Sequence, residues 1–304
     1  MPGWDLADRM ALRALEWTWS RRDSFRLPDD VTDPAVSVDA TLKPLGELAQ
    51  TAAFVRRSSA AGSPRRRLAD DCLRFAWDQL RHGQVLFDLL RSEPVAAYPL
   101  EVYAPFPGAG LRHRPLEEFG AFLAGTRAWQ VAEHVPTRVL GVRSVLRDLA
   151  IGPEPDPAEV VGRTWLGGRP EPWAMDVHAG YALTHDVFHL TDWGRRPEGL
   201  PAHLADYLGV WLPAWVETWL EERHWDLTGE LLAVDALLPR PTAGQETWER
   251  YAAAQAADGS VPAVGDRLGP GLTPPEVFAV CHHATLVAAF AAALVDARPR
   301  HAAA

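Results

Sequence analysis

A chain of 304 residues, 47% of them hydrophobic, is long enough to bury a substantial core. Its 40 acidic against 30 basic residues give a formal charge of -10, which argues against the phosphate backbone of nucleic acid as a partner. The two cysteines, Cys72 and Cys281, stand far apart in no C-x-x-C pair, pointing away from a disulfide framework or an all-cysteine zinc site and toward a reducing cytosol.

The opening MPGWDLADRMALRALEW carries acidic residues and an amphipathic pattern instead of a basic head and an apolar run, so no secretion signal is read and a cytoplasmic location is expected. Residues 6–19 place Leu12, Leu15 and Trp19 on one helical face, and a second helix is expected over 42–57. Residues 68–91 read as a longer helical region divided at Gly83. The Pro- and Gly-rich YPLEVYAPFPGAGLRHRP reads as an ordered loop. Helices over 116–133 and 138–149 meet at Val135-Pro136, and a short one covers 158–166.

Residues 175–192, MDVHAGYALTHDVFHLTD, place His178, Tyr181, His185, His189 and Asp192 in one helical stripe, at steps of 3, 4, 4 and 3. Three imidazoles, a phenol and a carboxylate seldom align inside a helix, because each buried polar group needs a partner. Asp186 faces away from this stripe. Beyond it, 202–223 carries a wide apolar face interrupted at Pro213, and short helices cover 226–237 and 245–255. Thr273, Pro274 and Glu276 form a capping box with the favoured proline at the first helical position, opening the last helix. The apolar stretch 277–295 is interrupted by His282, His283 and Thr285 and reads as a buried helix, not a membrane span. With no period-two segment rich in Val, Ile and Thr, the chain reads as one all-α domain of about eleven or twelve helices over residues 1–304. Antiparallel succession fits an α/α toroid, and the absence of a fixed-period repeat argues against a solenoid.

Two resemblances bear on this reading. The element Gln255-Ala-Ala-Asp258-Gly259-Ser260 resembles the Q-x-x-D-G-S turn of the α/α-toroid proteins related to terpenoid cyclases and protein prenyltransferases, with Val261 where an aromatic residue is usual. The stretches YALTHDVFHLTDWG, HWDLTGELL and CHHATLVAA resemble a family of all-helical actinobacterial proteins that accompany natural-product pathways. The resemblances imply a toroid whose inner helices line a cavity and a biosynthetic setting in secondary metabolism. They transfer no catalytic residue.

His185 and His189, spaced i, i+4, suit chelation of one zinc or iron ion. His178, His282, Asp226 and Glu230, with Asp192 and His283, are the candidate further ligands. Tyr181, Asp192, Asp226 and Glu230 are the candidate proton-moving groups. The Cys281-His282-His283 string is compared with the zinc sites of prenyltransferases and lanthionine cyclases, but their further cysteine elements do not align. Residues 68–71, LADD, lack the first Asp of a D-x-D-D acid. The expected protein is a metal-dependent enzyme acting on a small molecule or peptide by cyclisation, transfer or oxidation. A metal-free acid-base cyclase and a non-catalytic helical protein that binds a carrier or peptide are the alternatives.

Overall fold

A computed structural model describes residues 3–31, 33, 35–266, 268–269 and 271–298. Among them the protein is all-helical, without a strand. The α-helices are α1 (Trp4–Ser20), α2 (Leu42–Ser58), α3 (Pro64–Gln79), α4 (Gln84–Ser92) and α5 (Tyr98–Tyr103). Then follow α6 (Arg114–Ala124), α7 (Arg127–Gln130), α8 (Pro136–Leu149), α9 (Pro157–Val161) and α10 (Trp165–Gly168). The last are α11 (Val177–Leu190), α12 (Ala202–Glu221), α13 (Trp225–Leu237), α14 (Gln245–Ala252) and α15 (Pro274–Ala297).

Among the described residues fifteen α-helices stand where eleven or twelve were expected, because periodicity does not see every break. Residues 116–133 split where Thr126 caps α7, its side chain accepting from the Trp129 amide. Residues 158–166 split in the same manner where Thr164 caps α10. The stretch read as a Pro-rich loop contains α5, since Pro99 falls in the first turn, where its missing N–H costs nothing. The division expected at Gly83 is present: Arg81, His82 and Gly83 all have positive φ between α3 and α4.

The chain divides into two compact units, each discontinuous in sequence. Unit one comprises residues 1–21, 54–69 and 201–304. Its centre is α13, buried from end to end, and α15, buried from Ala284 to Val295. α15 is long and apolar enough to cross a membrane by composition, and 67% of that stretch is buried inside the protein. The expected capping box opens it: the Thr273 amide donates to Glu276 Oε2 at 2.8 Å. α12 continues through Pro213 without a break.

The Q-x-x-D-G-S element of unit one fastens a turn to α1. Gln255 Nε2 donates to the carbonyls of Met10 (3.0 Å) and Gly259 (3.1 Å), and Asp258 accepts from the Ser260 amide and hydroxyl. Gly259 has φ 98°, and a Cβ there would overlap the Arg13 carbonyl, so only glycine fits.

Unit two comprises residues 22–53 and 70–200. Trp77 packs on Phe106 and Tyr103, at ring-centroid distances of 5.0 and 6.2 Å. Within this unit α8 packs against α11, α5 and α9. That arrangement sets the stripe of α11 opposite α8.

Candidate functional site

Unit two carries a half-open cavity of about 470 Å³. One wall is the C-terminal half of α11 and the residues after it, with His185, His189 and Trp193. α8 supplies Arg138, Gly141, Ser144 and Asp148, at helical spacing on one face. Lys43, Gly46, Glu47 and Gln50 come from α2, and Tyr98, Glu101 and Val102 from α5.

The two histidines expected at the site are brought together on this wall. Asp176 caps α11, accepting from the Ala179 amide at 2.8 Å, and the imidazoles of His185 and His189 lie 6.3 Å apart between centroids. His185 Nδ1 donates to the Tyr181 carbonyl at 2.6 Å. A carbonyl only accepts, so Nδ1 carries the proton and the lone pair of the neutral ring sits on Nε2. His189 packs edge-on against Trp193, 6.1 Å between centroids. A Cβ on Gly141 would come within 3.1 Å of its ring, so the helix surface is left bare to admit it. Burial pushes the His189 imidazole down to about 3, with His185, Arg138 and Arg147 adding repulsion. The ring is therefore neutral at neutral pH. Its Nδ1 is buried without a hydrogen-bond partner.

The rest of the stripe divides. His178 is exposed in the first turn of α11. It stands seven residues before His185, about 10 Å along the axis. Tyr181 is absent from the cavity wall and serves through its backbone carbonyl. Asp192 lies beyond the helix end at Leu190, with φ 54°, and is 2% exposed. Its carboxylate accepts from Arg195 at 2.6 Å and Ser144 at 3.4 Å, with Arg147 at 3.5 Å. Arg195 also pairs with Asp148. Burial and then the charge of Asp192 push the Asp148 carboxyl up to about 6, against the pull of Arg195. Asp186, fully buried away from the cavity wall, is pushed up to about 6 by burial, while Thr137, Thr164 and the Leu166 backbone favour its charged form.

Asp226, Glu230 and His282 belong to unit one and are described within it. Asp226 and Glu230 stand one turn apart on α13, buried, and His283 of α15 brings Nε2 to 3.3 Å from Glu230 Oε1 and 3.6 Å from Asp226 Oδ1. His282, the candidate ligand, is turned instead onto Phe278, stacked at 4.7 Å with Nδ1 donating to the Phe278 carbonyl. Tyr251 of α14 places its buried hydroxyl against Gly229, and burial with the two carboxylates pushes that phenol far above its usual range. Burial pushes the Cys281 thiol up to about 11 and Cys72 to about 12, so both stay protonated at neutral pH.

Among the described residues no group of three or more His, Cys, Asp or Glu side chains is gathered as a bound metal ion requires. His185 and His189 supply two nitrogens. The nearby carboxylates of Glu101 and Asp148 are held by Arg138 and Arg195.

Sequence reasoning missed Arg138, Gly141 and Asp148 of α8 and Lys43 and Glu47 of α2. Their signal was present as charged and small residues recurring every three or four positions, but without chemically conspicuous side chains it read as ordinary helix surface. Glu101 was hidden in the stretch taken for a loop.

A family model described as a domain of unknown function (DUF6895) matches residues 11–293. No curated protein and no solved structure matches the chain.

Proposed function

The chain belongs to the DUF6895 family, and from its own residues we propose that it is an enzyme acting on a small molecule in the cavity of unit two by general acid-base catalysis. The observation that carries this reading is the fixed tautomer of His185, whose Nδ1–H is committed to the Tyr181 carbonyl at 2.6 Å. Nε2 is left to take a proton from an O–H or N–H of the substrate, forming an imidazolium and a nucleophile. Cyclisation or group transfer follows from that nucleophile. His189 supplies a neutral imidazole beside it, and Asp148, titrating near 6, holds or returns a proton at physiological pH. A volume of about 470 Å³ suits a small organic molecule.

A zinc or iron ion is the second reading, favoured by one observation: a histidine whose Nδ1 donates to a carbonyl presents Nε2 as metal-binding imidazoles do. The two histidines would hold such an ion, with the remaining ligands drawn from solvent or substrate. The α/α-toroid arrangement, the cytoplasmic location and the natural-product setting belong to the same proposal. The all-helical fold and the Gln255–Ser260 element support the first and the two buried free cysteines the second, while the natural-product setting rests on the resemblance of the stretches YALTHDVFHLTDWG, HWDLTGELL and CHHATLVAA alone. In the non-catalytic alternative the cavity binds a carrier or peptide and the histidines only pack.

The test is untargeted mass spectrometry of a bacterial metabolite extract incubated with wild type and with His185→Gln. Compounds consumed by wild type alone, with both proteins equally helical by circular dichroism, are the expected result. Equal consumption by the folded variant would remove His185 as the base. Near-stoichiometric zinc or iron in tag-free protein, lost in the His185→Ala/His189→Ala pair, would move the assignment to the metal reading.

A further inference from the structure

We propose that the cavity of unit two selects an uncharged small molecule bearing a hydroxyl group, and that the Glu101–Arg138 pair enforces that choice by keeping both of its charges from the ligand. The inference rests on reading this cavity as the functional site. The charges of its wall are answered within the protein. Arg138, the base shaped to clamp a carboxylate or phosphate, donates two bonds to Glu101, of 2.9 and 2.6 Å, with Glu133, off this wall, at 3.7 Å. Asp148 pairs with Arg195, which also binds Asp192, and Asp192 has Arg147 at 3.5 Å. Two carboxylates there face two guanidinium groups. Glu47 is engaged as well. Lys43 and Asp39 are exposed, of opposite sign and four residues apart, so together they lend the cavity no net charge. An ion entering here gives up part of its hydration and meets no counter-charge kept for it.

The wall offers instead polar groups that both donate and accept. Gln50 lines it with an amide that carries both functions. His185, its Nδ1–H on the Tyr181 carbonyl, presents Nε2. A hydroxyl suits that nitrogen in either protonation state, donating to the neutral ring and accepting from the charged one. His189 is uncharged at neutral pH and calls for no counter-ion. Leu42, Val102, Val145 and Trp193 complete the wall with apolar and aromatic surface for a carbon skeleton. A hydroxyl is also a group from which the proposed base takes its proton.

Phenethyl alcohol, phenethylamine and hydrocinnamate share one body and differ in the head group. They are titrated at about pH 8, above the ordinary imidazole range, by protein-detected NMR with the His185, His189 and Trp193 resonances assigned. The alcohol is expected to bind at these residues at least about fivefold tighter than either ion, with an affinity that does not change between low and high salt. Glu101→Gln releases Arg138 and is expected to raise hydrocinnamate affinity at least about fivefold relative to the alcohol, whereas Arg138→Gln releases Glu101 and should do the same for phenethylamine. Each variant carries the test alone if the other folds poorly. Either ion binding wild type as tightly as the alcohol, no saturable alcohol binding at these residues, or an unchanged head-group preference in a folded variant would each overturn the proposal. Its fate is separable from that of the enzyme reading. His185-dependent turnover without the alcohol preference removes only the ligand class, whereas the alcohol preference without turnover sustains that class and removes the catalysis.

Discussion

At the scale of single residues the cavity wall holds a group whose protonation opposes folding in acid. The His189 imidazole falls from 6.5 to about 3, so the unfolded chain takes up a proton over that interval and the folded protein does not. Its contribution to stability is present above about 6.5 and lost as pH falls toward 3. Asp186 runs the other way. Its carboxyl rises from 3.8 to about 6, the folded protein binds the proton first, and stability is lost as pH rises through that window. Urea denaturation at about pH 4, 5.5 and 7 should therefore show His189→Gln gaining on wild type toward acid, and Asp186→Asn gaining toward neutral pH. Parallel curves for the three proteins would contradict both assignments. Gly141→Ala pits a helix-propensity gain of about 1 kcal/mol against overpacking of about 1–3 kcal/mol. A net loss of about 1 kcal/mol is expected, with the His189 ring resonances displaced. An unshifted ring would mean that the close approach does not position it.

Among elements, the end of α11 shows how a helical pattern can outrun its helix. Periodicity carries the stripe on to Asp192, yet both Asp192 and Trp193 have positive φ, at 54° and 51°. Left-handed backbone costs a non-glycine residue about 1–2 kcal/mol. The contacts of the Asp192 carboxylate with Arg195, Arg147 and Ser144 offset that cost. Asp192→Ala removes the shared acceptor from partly buried guanidinium groups and should cost about 3 kcal/mol in chemical denaturation. A cost under about 1 kcal/mol would make the cluster a surface ornament. In unit one Gly259→Ala should cost more than about 2 kcal/mol, since the substitution meets both a positive φ and the Arg13 carbonyl. Near-wild-type stability would show that the turn relaxes away from α1 without loss.

On the scale of the whole molecule, burial is unequal, and local stability should follow it. Every residue of α13 and most of α15 is buried, while α7, α9 and α10 are helices of four or five residues. Native-state hydrogen exchange should find the slowest amides in α13 and α15 and the fastest helical ones in the three short helices. Slow exchange throughout α7, α9 and α10 would break the link between burial and protection. The all-helical class was legible because apolar residues recur at helical spacing along most of the chain, and strong start signals such as Thr273–Glu276 depend only on neighbours in sequence. The pairing of His185 with His189 was legible for the same reason, since i, i+4 places two side chains on one face. Tertiary structure decided the remainder. Whether an imidazole is a base, a ligand or packing depends on its burial and on what its other nitrogen touches, and Asp148, Arg138 and Gly141 reach the cavity only because α8 packs on α11. His282 and His283 are adjacent in sequence but point about 100° apart on a helix, so only the placement of α13 beside α15 settles which one meets Asp226 and Glu230.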